Sequence, residues 1–172
     1  MSIMGYLRSG VKSLDSMEDL LVEELKDLYD VESRLIDSLP EMEEAASDPQ
    51  LKAAFREHLR VTEAQKRRLE QCFECLDMEP ERETCDGIKG ILQEGEALIK
   101  ADGDPQVKDA ALIAAAQRLE HYEIAAYGAA RSFAQHLNYD DVADLLQQTL
   151  DEEGQTDHKL SEIALTNVNP VM

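Results

Sequence analysis

The sequence predicts an all-α protein: an antiparallel four-helix bundle whose middle connection is a long crossover carrying a short extra helix. Three observations lead there. Ala, Leu, Glu, Asp and Gln dominate and tryptophan is absent, a composition that favours helix. Four long stretches repeat apolar residues at 3,4 spacing, the inward seam of a bundle helix. Stop-and-start signals, Asp48-Pro49 and Asp104-Pro105, separate them. The 172 residues fit one domain, expected over 15–166, with an N-terminal extension at 1–14 and a C-terminal tail at 167–172.

In the first helix, Asp15 or Ser16 is the cap, and Asp19, three residues after Ser16, makes an approximate capping box. The seam reads Leu21, Leu25, Leu28, Glu32, Leu35, Leu39, Met42, apolar except for Glu32. Pro40 is expected to kink this helix or end its regular part early. Pro49 suits the first turn of the second helix, whose seam reads Leu51, Phe55, His58, Thr62, Gln65, Leu69, Cys72, Leu76.

Residues 77–105 break the pattern. A turn at 78–81 precedes a shorter helix within 87–100 that uses Ile88, Ile91, Leu92, Leu98 and Ile99. This connection is too long for a tight hairpin and long enough to recross a bundle. The third long helix, about 106–137, is alanine-rich nearly all round, which predicts close neighbours on several sides, a second subunit among them. Its seam runs Ile113, Ala116, Glu120, Glu123, Tyr127, Ala130, Ala134, Leu137. After a turn at 138–140, the last helix carries Val142, Leu146, Thr149, Glu153, Thr156, Leu160 and Ile163, with Asp157 a turn beyond Glu153.

Each seam turns polar near its middle, and the levels agree. At about 1.5 Å per residue, Glu32 and Thr62 lie roughly 20–25 Å from the turn at Asp48, and Glu123 and Glu153 lie as far from the turn at Tyr139. One mid-bundle layer therefore collects Glu32, Glu120, Glu123 and Glu153, with His58 and Asp157 as outer members. Thr62 and Tyr127 stand beside it. The seams hold no Lys or Arg. Several buried carboxylates without bases are costly unless cations balance them. Carboxylates with an occasional imidazole suit two iron or manganese ions, and paired inward carboxylates on a four-helix bundle are the geometry of such sites. On the outside, His121 faces away from the seam, Glu152 is expected in solvent, and Asp109 complements the start of the third helix.

A formal charge of -20, from 37 acids and 17 bases, repels nucleic acid and anionic lipid and argues against direct binding of either. No apolar run is long enough for a signal peptide or a membrane span, so a cytoplasmic protein is expected. Cys72, Cys75 and Cys85 form no even disulfide framework, and Cys72 reads as a small core residue.

The runs DAALIAAAQ over 109–117 and LEHYEIAAYG over 119–128 closely resemble the YciF/YciE-like family of bacterial stress proteins. Further matches are LYDVE over 28–32, His58-Leu59 with Thr62, and TLDEE over 149–153 with Thr156-Asp157. The resemblance covers about residues 16–169. It implies a ferritin-like fold related to rubrerythrin, a helical homodimer, a di-metal site and a link to stress response. The usual pair of E-x-x-H motifs is missing: Arg60 and Glu63 stand at that spacing in the second helix, and Thr156 follows Glu153. The site is therefore expected to be rich in carboxylate and poor in histidine, or to hold fewer metals. Two readings stay open. One is a metal-binding redox protein whose partners are metal ions and a small oxidant such as peroxide or O2. The other is a stress-induced structural or interaction dimer with a vestigial metal site.

Overall fold

A computed structural model describes residues 15–84 and 86–169; the predicted extension at 1–14, Cys85 and residues 170–172 of the tail lie outside them. The described residues form five α-helices: α1 (Met17–Ala45), α2 (Pro49–Cys75), α3 (Asp86–Ile99), α4 (Pro105–His136) and α5 (Asp140–Ile163), followed by a π-helical turn, Ala164–Val168.

Their ends follow from local chemistry. Ser16 caps α1, its Oγ accepting from the Asp19 N–H at 3.0 Å. Asp48 caps α2, accepting from the Gln50 and Leu51 N–H groups at 2.8 and 2.9 Å, and Pro49 takes the first helical position. Asp104 and Pro105 repeat the device at α4. Asn138, at φ 61°, turns the chain from α4 into α5 in the left-handed region that Asn tolerates. α1 continues past Pro40 to Ala45. Pro40 is exposed, so its ring sits on the outer side of the helix, away from the packed seam.

α1 packs on α2 and α4 on α5; α2 also meets α5, and α1 meets α4, so the four long helices close into a ring. The crossover lies outside it, with α3 chiefly against α4. Ile88 is fully buried there, and Ile91, Leu92, Leu98 and Ile99 pack partly buried on the same core. Asp30 on α1 receives Arg34 at 2.6 Å and Arg82 of the crossover at 2.7 Å, and Lys26 meets Glu81 at 2.7 Å. These contacts fasten the segment before α3 along α1.

Two apolar cores fill the ring. One gathers Leu21, Leu25, Leu28, Leu69, Phe73 and Leu146; the other gathers Leu35, Leu39, Leu51, Phe55, Leu112 and Leu160. At about 1.5–3 kcal/mol per fully buried apolar side chain, they can sustain a costly layer between them. Val168, after the last α-helix, is 1% exposed and packs in the second core. No helix among the described residues is long and apolar enough to cross a membrane.

Candidate metal centre

Between the two cores the seams deliver Glu32 from α1, His58, Thr62 and Gln65 from α2, Glu120, Glu123 and Tyr127 from α4, and Glu153 from α5, each at most 3% exposed. They arrive together because each stands where the 3,4 repeat would place a leucine, at matching distances from the two hairpin turns. One ligand atom from each of His58, Glu120 and Glu153 lies within 4.8 Å of the others, and the same holds for Glu32, Glu123 and Glu153. Glu153 is common to both trios, which makes two adjacent positions sharing one carboxylate. His58 thus belongs to the inner set, not its margin; its Nδ1 stands 3.5 Å from Glu120 Oε1.

The electrostatics are those of uncompensated acids. Burial, and then the charge of Glu153, raises the carboxyls of Glu32, Glu120 and Glu123 well above the ordinary range. Glu153 is pushed up to about 7, mainly by burial. Burial lowers His58 to about 4, which keeps its imidazole neutral and fit for a metal at neutral pH. Hydrogen bonding reaches few of these atoms. Tyr127 donates its hydroxyl to Glu32 Oε1. Gln65 Nε2 donates to Glu153 Oε1 at 2.5 Å. Both oxygens of Glu123, one each of Glu32 and Glu153, and both nitrogens of His58 are buried without a hydrogen-bond partner, and Glu120 meets only the carboxyl of Glu153. Native proteins rarely leave buried polar atoms in that state. The donor set, four carboxylates and one neutral imidazole, is one that could hold divalent cations.

Other predicted positions fall elsewhere. Asp157 stays out of the cluster: its carboxylate sits half-buried between α4 and α5, accepting from Gln117 Nε2 at 2.9 Å, with His121 Nε2 3.6 Å away. One turn past Glu153 the seam passes through Thr156 on its way to Leu160, and Asp157 lies to its side. Glu152 is drawn out of solvent by Arg68, which grips it at 2.9 and 3.0 Å and also donates to Thr149 at 2.6 Å. Arg68 is thus the cation near the layer, yet its hydrogen bonds go to Glu152 and Thr149. Asp109 does more than complement a helix start. It is 2% exposed and accepts the Ser47 and Asp48 N–H groups, each at 2.7 Å, locking the α1–α2 turn onto α4. Thr62 is fully buried with an unpartnered hydroxyl. Gln65 and Arg68 were not singled out from the sequence; Gln65 stood in the polar middle of a seam, the one signal available. Cys72 is buried, its thiol pushed up to about 12 by burial, and Cys75 is exposed; both are free.

Fold and site together define a class: all-helical proteins with a buried carboxylate–histidine cluster between two apolar cores. The chain belongs to the family described as a domain of unknown function, DUF892, which matches residues 16–171. It is 39% identical over 158 residues to Protein YciF of Escherichia coli (strain K12), covering 91% of this chain and 95% of that protein. The crystal structure of that E. coli stress protein superposes with a TM-score of 0.87, covering 91% of this chain and 99% of that one. YcfI of Rhodopseudomonas palustris, whose description proposes a structural role, gives 0.85 at 37% identity, covering 87% and 96%. A protein from Xanthomonas campestris pv. campestris shares the fold at 21% identity, with a TM-score of 0.68 over 86% and 90% of the two chains.

Proposed function

We propose that this is a ferritin-like four-helix-bundle protein of stress response that binds two iron or manganese ions between Glu32, His58, Glu120, Glu123 and Glu153. The observation that carries the reading is the set of buried, unpartnered carboxylate oxygens around a neutral imidazole. His58, Glu120 and Glu153 would hold one ion, Glu32, Glu123 and Glu153 the other, with Glu153 shared. Ions of this kind supply electron exchange with a small oxidant such as peroxide or O2. The chain's own part is to hold the donors and keep bulk water out. Gln65 fixes one oxygen of Glu153 and Tyr127 one oxygen of Glu32, which leaves the remaining lone pairs to converge. The assembly would be a homodimer meeting on the outer face of α4, where Ala114 and Ala125 are exposed on a long helix.

Metal analysis tests the first part. Reconstituted protein should carry close to two equivalents, and less than one tenth of an equivalent of any transition metal would overturn the reading. A second reading, a structural dimer with a vestigial layer, draws on the role proposed for YcfI. Glu120→Gln separates the two. A metal centre loses metal and its metal-dependent rise in melting temperature, whereas a vestigial layer becomes more stable and stays indifferent to iron.

A further inference from the structure

Between α2 and α5, against His58, lies a cavity of about 30 Å³. Phe55, Val61 and Leu160 form its apolar walls, Thr156 and His58 its polar side, and Lys159 stands at its mouth. Outside it opens a wider depression of about 490 Å³ that shares Ala54 and Lys159 with it. The inner space suits one or two water-sized molecules. Its inner wall is a side chain only 3% exposed, whose two nitrogens find no hydrogen-bond partner and which also belongs to the ligand cluster.

We propose that this cavity is the port through which a small neutral or anionic ligand, of the size of O2, peroxide or azide, reaches the metal centre beside His58. The inference rests on the metal-binding reading above. Charge selects the class of ligand. Lys159 is exposed and has no ion-pair partner among the described residues; of the two acids on the passage, Glu57 beside the cavity is paired to Arg60, and Glu162 on the outer depression lies 3.5 Å from His158. On a chain of net charge -20, Lys159 is the one Lys or Arg among the residues lining either space, and it draws small anions towards the inner cavity. The apolar walls admit a di- or triatomic molecule and stop a hydrated ion of larger radius.

Val61→Phe and, from the opposite wall, Thr156→Ile would plug the passage without removing a ligand. In protein loaded with cobalt(II), both substitutions should leave metal stoichiometry unchanged and slow azide ligation, followed by absorption, at least about tenfold, as a closed gate would. Lys159→Gln should slow it by about threefold at low ionic strength and by less in high salt. In metal-free protein, magnetisation transfer from water to the His58 ring proton should be present in the wild type and lost in Val61→Phe. Unchanged azide rates in both plugged variants, or a water signal that survives the plug, overturn the port. Failure of the wild type to take up metal would instead remove the metal reading, and the metal-free arm would still decide whether the passage exists.

Discussion

The protein buries carboxylates in two ways. Asp30 and Asp109 are each 2% exposed, and Glu32, Glu120 and Glu123 are 0%, 0% and 1% exposed, so burial does not distinguish them. Their partners do. Asp109 receives two backbone N–H groups, and Asp30 receives two guanidinium groups. At Asp30, burial alone would raise the carboxyl, but Arg34 and Arg82 outweigh it and hold it below its ordinary value. At Glu32 only the Tyr127 hydroxyl and the more distant Arg68 charge oppose burial, and at Glu153 the hydrogen bonds of Glu120 and Gln65 and the Arg68 charge do not outweigh it. A chain that satisfies its structural acids so completely leaves these open for something other than protein. The comparison would break if the layer behaved like Asp109 when perturbed.

The largest effect should come from metal. A ligand that binds only the folded state at a thousandfold excess over its dissociation constant adds about 4 kcal/mol. Titrating metal-free protein with iron(II) or manganese(II) under argon should raise the melting temperature accordingly, and a chelator should reverse the change. The Asp30 and Asp109 sites, already saturated by protein donors, should contribute nothing to it. Asp109→Ala comes next. It removes the buried carboxylate to which two part-buried N–H groups donate and should cost about 3 kcal/mol, read by urea denaturation, whether or not metal is present.

Glu123→Leu should act in the opposite direction. In metal-free protein it removes a buried carboxyl with two unpartnered oxygens and should stabilise by about 1–3 kcal/mol, while abolishing the response to metal. The two regions also titrate with opposite sign. A layer carboxyl, raised in the folded state, contributes stability that is fully present below 4.5, the unfolded value, and is lost as pH rises through about 7 in the case of Glu153. Asp30, lowered from 3.8, contributes stability present above that value and lost as pH falls below it. Metal-free wild type should therefore lose melting temperature between pH 5 and 8 by about the amount that single-site linkage allows, and Glu123→Leu should lose less.

The same contrast explains what the sequence reveals. Glu32 is legible because it interrupts an otherwise unbroken leucine seam, and Glu120, Glu123 and Glu153 because period and level agree on two helices joined by a short turn. Asp157 stands apart from the two trios because one helical turn rotates a residue from the seam towards its rim, a difference that period alone does not resolve. The roles of Asp109 and Arg68 are hidden for another reason. Each is a contact between helices distant in sequence, Asp109 with Ser47 and Asp48, Arg68 with Glu152, and no local pattern encodes it. Val168 is missed because a lone apolar residue in a polar tail carries no periodicity.

The smallest effect sharpens the comparison most. Tyr127 is fully buried and gives its hydroxyl to Glu32, so with Gln65 at Glu153 it is one of two points at which the layer receives a protein donor as Asp30 does. Tyr127→Phe removes that donor and keeps the ring. In metal-free protein, where burial favours the neutral form of Glu32, the loss should be about 1 kcal/mol, the worth of one hydrogen bond. In metal-loaded protein Glu32 is ionised and the bond is charge-assisted, so the same substitution should cost more, up to about 3 kcal/mol, with metal stoichiometry unchanged. Thermal melts of both forms of both proteins make a double cycle. A cost that is equal with and without metal would mean that Tyr127 braces the core independently of the state of Glu32, and the distinction between the two kinds of buried acid would then rest on the orphaned oxygens alone.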